Sequence, residues 1–165
     1  MDRYYYLAAQ LPALYFDKEP LITVEIFLYE AQKWLSPGDL KILKEVNINT
    51  ITVKISELPI LREYIHYEYA LRNELVQYRQ ALRNRQEYKP LSFPVSVLKE
   101  GNPLDVEKKL LQLRWQVINE LEFGHYSDIE FLALYYLKLQ ILRRLQHFDK
   151  DTGKEKFKTF TEIGV

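Results

Sequence analysis

Residues 60–85 read ILREYIHYEYALRNELVQYRQALRNR, and the spacing of their apolar positions decides the fold class. Tyr64, Tyr67, Leu71, Leu75, Tyr78 and Leu82 follow one another at steps of 3, 4, 4, 3 and 4. Residues three and four apart share one face of an α-helix, so the run predicts an amphipathic helix from about Ile60 to Arg85. At 1.5 Å per residue such a helix is ~40 Å long. A compact sphere of this chain length is also only ~40 Å across. One helix therefore reaches across the molecule, and the expected shape is elongated.

Working outward, the flanking segments punctuate into further helices. On the N-terminal side, residues 4–16 are apolar and tyrosine-rich, and Asp17-Lys18-Glu19-Pro20 breaks the pattern. A first helix is expected to start at Thr23, as N-cap, and to run to Leu35. Ser36-Pro37-Gly38-Asp39 opens another, to Val46, with Ser at the cap, Pro at the first helical position and an acid at the third. Asn47–Ile55 alternates and is rich in β-branched residues, but it has no strand partner and reads as extended loop. On the C-terminal side, Glu87–Gly101 is a linker containing Pro90 and Pro94. Asn102-Pro103-Leu104-Asp105 repeats the start signal, and this helix is expected to reach Phe123, where Gly124 is a left-handed stop. Ser127-Asp128-Ile129-Glu130 reads as a capping box opening a helix to Phe148. Lys154–Ile163 reads as a short terminal helix. The expected fold is all-α: one domain over residues 1–165, an elongated helical bundle with one long central helix and no significant sheet.

Composition bounds the function. Apolar residues make up 47% and charged residues 28%, which is globular, and 23 Lys and Arg balance 23 Asp and Glu. Phosphate contacts dominate nucleic-acid affinity and call for a basic excess, so no nucleic acid is expected. With no cysteine, disulfides and thiolate metal sites are excluded. The opening, Met1-Asp2-Arg3-Tyr4-Tyr5-Tyr6, does not read as a signal peptide. The longest strongly apolar stretch, Phe131–Leu137, falls short of the roughly 20 residues that span a bilayer, so no membrane span is expected.

No chemistry-bearing constellation stands out. His66, His125 and His147 lie far apart in sequence, and none forms His-x-x-x-His, or Glu-x-x-His with a second ligand. The glycines form no phosphate cradle, and no Gly-x-Ser-x-Gly is present. Glu120 and Glu122 read as a solvated helix end. No catalytic, cofactor-binding or metal-ligating residue is assigned, and no cofactor is expected.

Two cations sit on apolar faces. Arg114 is flanked one turn away by Leu110, Leu111, Val117 and Ile118, and Lys138 by Leu134, Tyr135, Ile141 and Leu142. Lys138 reads as a snorkelling side chain with its head in water. Arg114 is expected to meet a carboxylate, internal or on a partner. Trp115 shares the stripe of Leu111 and Ile118 and is expected in the core. Tyrosine, at 13 residues, is abundant and suits both interfaces and core edges.

Several strings resemble a known family. Tyr4–Leu14, Tyr69–Leu75, Asn102–Glu107, Leu113-Arg114-Trp115 with Asn119-Glu120-Leu121, and Tyr136–Arg144 with Gly153–Phe157 look like an uncharacterised bacterial family encoded among V-type ATPase genes. The resemblance implies a stand-in for the central-stalk subunit (C, or d in eukaryotes) that links the rotor shaft to the membrane ring. That subunit is helical and opens with a Tyr-rich helix. Here its usual Ala-Arg appears as Ala9-Gln10, and this chain is about half its size, so a shortened member and a different role in the same complex both stay open. The expected function is a non-catalytic subunit or assembly component contacting V-type ATPase rotor or stalk subunits, cytoplasmic or peripheral to the membrane. The alternative is a free-standing helical adaptor or regulatory module; an enzyme is the third reading. Tyr4, Tyr5, Tyr6, Arg72, Arg114 and Lys138 are the candidate partner contacts.

Overall fold

Local chemistry places most of the helices. The computed structural model describes residues 4–49 and 58–148 together with Lys158. Among these it has seven helices: α1 (Tyr5–Gln10), α2 (Val24–Trp34), α3 (Pro37–Glu45), α4 (Pro59–Arg83), α5 (Ser96–Lys99), α6 (Pro103–Leu121) and α7 (Ile129–Gln146). They take up 67% of the described residues, which contain no strand, so the all-α class holds.

The expected starts of α2, α3 and α6 appear with their caps. Thr23 Oγ1 accepts a hydrogen bond from the Ile26 amide, and Ser36 Oγ one from the Asp39 amide. Asn102 and Asp105 form a reciprocal capping box at 2.9 and 3.0 Å. Gly101 precedes it at φ 95°, and a Cβ there would lie 2.7 Å from Asp105 Cβ, so only glycine fits. Gly124 ends the α6 region at φ 90° as expected.

Four expectations are corrected. The Tyr-rich N-terminus already forms a helix, α1, before the one at Thr23. The Pro-containing linker holds one helical turn, α5. The cap of α7 is Asp128, whose Oδ1 accepts from the Phe131 amide at 2.8 Å, so Ser127 does not open a capping box. The long helix is not the centre. It packs on α6 and α7, whereas α7 packs on α2, α3, α4 and α6 and buries nine residues, among them the consecutive run Leu132-Ala133-Leu134-Tyr135. A helix apolar on every side belongs inside a bundle. Of the extended loop, Asn47–Asn49 is irregular as expected; residues 50–55 lie outside the described residues, as does the expected terminal helix apart from Lys158, which is helical.

Apolar side chains form two clusters. The larger surrounds α7 and includes Leu7, Phe27, Leu43, Leu61 and Trp115. The smaller joins the later part of α4 (Leu71, Leu75) to Phe93, Val97 and Leu110. Five of the six stripe positions in α4 turn inward or partly inward, and only Leu82 is exposed. Burying a Leu or Phe stabilises by about 1.5–3 kcal/mol, so α4 is held at both ends of its stripe by different partners.

Candidate interaction surface

The six candidate contacts divide by where their side chains point. In α1, Leu7 is fully buried, and this anchors a helix too short to stand alone. The segment is tied down further by polar bonds. The Tyr4 amide donates to the Ser127 carbonyl at 2.9 Å, the Tyr4 hydroxyl donates to Asp39 Oδ2, and the Tyr135 hydroxyl donates to the Pro12 carbonyl at 2.8 Å. Burial, then the Asp39 carboxylate, raise the Tyr4 phenol above its ordinary range.

With Leu7 inward, Tyr5 and Tyr6 face solvent, 63% and 69% exposed. The Tyr6 ring stacks on Trp34 of α2 with centroids 6.0 Å apart, and Tyr5 meets Tyr6 edge-on at 6.0 Å. Trp34 itself remains 45% exposed. Nearby along α2, Ile26 and Tyr29 are exposed three residues apart, and Lys33 Nζ lies 4.3 Å from the Tyr29 ring centroid. These helices leave large aromatic surface in water, and Tyr and Trp are the residue types enriched in protein interfaces.

Tyr4, Arg114 and Lys138 point the other way, and their assignment as partner contacts is corrected. Arg114 is buried and forks onto Glu68, Nε to Oε2 at 2.8 Å and Nη2 to Oε1 at 2.9 Å. Its carboxylate is thus internal. Burial opposes the guanidinium charge, but hydrogen bonding and attraction to Glu68 outweigh it and hold Arg114 above its ordinary range. Arg72 donates from Nε to Glu68 Oε1 at 2.7 Å and from Nη2 to the Ile48 carbonyl at 3.2 Å. Glu68 therefore bridges α4, α6 and the segment after α3. Lys138 is buried: its Nζ pairs with Glu122 at 2.5 Å and lies 5.4 Å from the Trp115 ring centroid. Trp115 is buried as expected and meets Phe16 edge-on at 5.7 Å.

Sequence reading missed Glu68. The signal was present, since Leu61, Tyr64, Glu68, Leu71 and Leu75 form one inward stripe with a single acid in it. It also missed a second cluster. In the turn before α7, His125 Nδ1 lies 2.6 Å from Asp128 Oδ2 and 3.1 Å from Glu130 Oε2. These three side chains are the group able to hold a metal ion among the described residues. Clefts also occur. A cleft of about 670 Å³ is lined by Phe16, Lys18, Lys108 and Leu142, and another of about 420 Å³ by Asn47, Gln140 and Arg144. None of the six candidate residues lines either cleft. No helix among the described residues is long and apolar enough to cross a membrane.

Fold and surface together define an all-helical protein with a buried ion-pair bridge and an exposed aromatic patch. The chain belongs to the family described as "Protein of unknown function (DUF2764)", which matches residues 66–163, more than half of its length. Glu68, Arg72, Arg114, Lys138 and the His125 cluster fall inside the match, whereas the aromatic patch precedes it. No curated protein and no solved structure matches the chain.

Proposed function

We propose that this protein is a non-catalytic helical component of a rotary V-type ATPase, acting by contact with rotor or stalk subunits on the cytoplasmic side. The observation that carries the contact reading is the exposed set Tyr5, Tyr6 and Trp34 on two anchored helices, with Tyr6 stacked on Trp34 and edge-on to Tyr5. Rigid aromatic anchors lose little side-chain entropy on binding, which suits them to a permanent interface. The ATPase reading rests on the sequence resemblance. An elongated outline belongs to the same proposal and draws on α4, whose 25 residues extend ~38 Å. Small-angle scattering should then give a radius of gyration above the ~15 Å of a compact chain this long.

The test is affinity capture of the tagged protein from its native cells after cross-linking. Rotor or stalk subunits should appear in the eluate and be lost with a Tyr6→Ala/Trp34→Ala double variant that melts like the parent. Consistent absence of those subunits removes the ATPase assignment and leaves a free adaptor. Undiminished capture by the double variant removes the patch.

A further inference from the structure

Three side chains within six residues converge on one point at the α6–α7 turn. Their ligand atoms all lie within 4.8 Å of one another, and two carboxylates approach the same imidazole nitrogen, His125 Nδ1. We propose that His125, Asp128 and Glu130 form a three-ligand site for a divalent transition-metal ion of the Zn²⁺ type.

A proton on Nδ1 points in one direction and serves one acceptor well. Two acceptors on the same atom is the arrangement that an ion with several coordination directions satisfies. Zn²⁺ holds nitrogen and carboxylate oxygen at about 2.0–2.2 Å, which places tetrahedral ligand atoms ~3.3 Å apart. The observed separations of 2.6 and 3.1 Å need only a small expansion to reach that spacing. One imidazole with two carboxylates suits Zn²⁺, Co²⁺ or Mn²⁺, whereas Ca²⁺ and Mg²⁺ prefer oxygen alone.

The surroundings hold the ligands in place. Asp128 uses Oδ1 to cap α7 through the Phe131 amide, which fixes the carboxylate and leaves Oδ2 toward His125. The His125 amide donates to the Glu122 carbonyl at 3.0 Å, and Ser127, between the ligands, accepts from the Tyr4 amide. All three side chains are mostly shielded, at 18–25% exposure, so their charges are only partly screened. A neutral imidazole with two carboxylates carries two negative charges, matching a divalent ion. The positive end of α7 works against a cation, and the two carboxylates outweigh it. Three protein ligands leave a coordination position for water, and the bound ion would lock the turn on which α1 is seated.

The full chain, stripped with chelator, should be titrated with Zn²⁺ by calorimetry and with Co²⁺ by visible absorption. The expected result is one ion per chain, ligand-field bands of low-symmetry Co²⁺, and a rise in melting temperature with Zn²⁺. Asp128→Asn removes a ligand charge but keeps an equally good N-cap, so its metal-free form should melt like the parent. Asp128→Asn, Glu130→Gln and His125→Gln should each weaken binding at least about tenfold, and His147→Gln should leave it unchanged. No saturable binding near one ion per chain, or binding that survives all three ligand substitutions, overturns the proposal.

Discussion

Glu68 is almost fully buried and takes charge-assisted bonds from two arginines on different elements. A buried carboxylate is costly unless paired, so removing its inner partner should be severe. Arg114→Met is expected to destabilise by about 3–5 kcal/mol, because it strands Glu68. Glu68→Leu combined with Arg114→Met should recover most of that loss, since the pocket then holds two apolar side chains of similar volume. Denaturant melts of the single and double variants measure the coupling, and a double variant no better than Arg114→Met would sink the account. Burial also shifts the phenols nearby. It raises Tyr64 well beyond the ordinary range, and it pushes Tyr67 up to about 12. The unfolded phenol titrates near pH ~10. A folded value above the unfolded one gives stability that is complete below pH ~10 and lost as pH rises toward about 12. The denaturation midpoint should therefore fall between about pH 8 and about pH 11, and Tyr67→Phe should soften the fall. Equal midpoints for the parent at the two pH values would contradict this.

At the scale of elements, helix boundaries were legible where a cap has one chemical solution. Ser36-Pro37, Asn102-Pro103 and Gly124 each fix a unique start or stop, and the structure has them. Boundaries were illegible where two residues compete or none helps. At Ser127-Asp128 both side chains are good caps, and the choice of Asp128 depends on where the turn sits against Tyr4. Helix α1 has no side-chain cap at Tyr4, and its existence rests on the burial of Leu7, a tertiary effect. The α4 helix likewise ends at a non-glycine: Arg85 takes φ 55°. Asp128→Ala is expected to cost about 1 kcal/mol in a thermal or chemical melt, as Asn102→Ala should for α6. A Asp128→Ala protein as stable as the parent would return the cap to Ser127. The candidate site divides in the same way. The sequence marks Tyr4, Tyr5 and Tyr6 alike and does not say that Tyr4 turns inward and the other two outward, nor that Tyr6 meets Trp34, because nothing local joins residue 6 to residue 34. The ligand-like trio at 125, 128 and 130 is short-range, yet only the turn geometry aims its three atoms at one point.

For the whole molecule, Phe131–Leu137 is too short to span a bilayer, and its all-round apolarity marks the helix on which α2, α3, α4 and α6 pack. Length drew attention to α4 as the axis, and packing gives that place to α7.

The position of α7 has a consequence for how the chain is made. Synthesis adds roughly 5–20 residues per second from the N-terminus, and domains usually settle as they emerge. Here the helix against which α2, α3, α4 and α6 close is the last of the seven to leave the ribosome. Until then Phe27, Leu43, Leu61 and Ile118, all buried in the finished protein, have no lid. Until α7 emerges, the nascent chain is left in a sticky, unfinished state. A chain cut after residue 128 should accordingly lack a cooperative unfolding transition and bind a hydrophobic dye, whereas the full chain melts sharply. A sharp transition in the truncated chain would show that the earlier helices close on one another without α7.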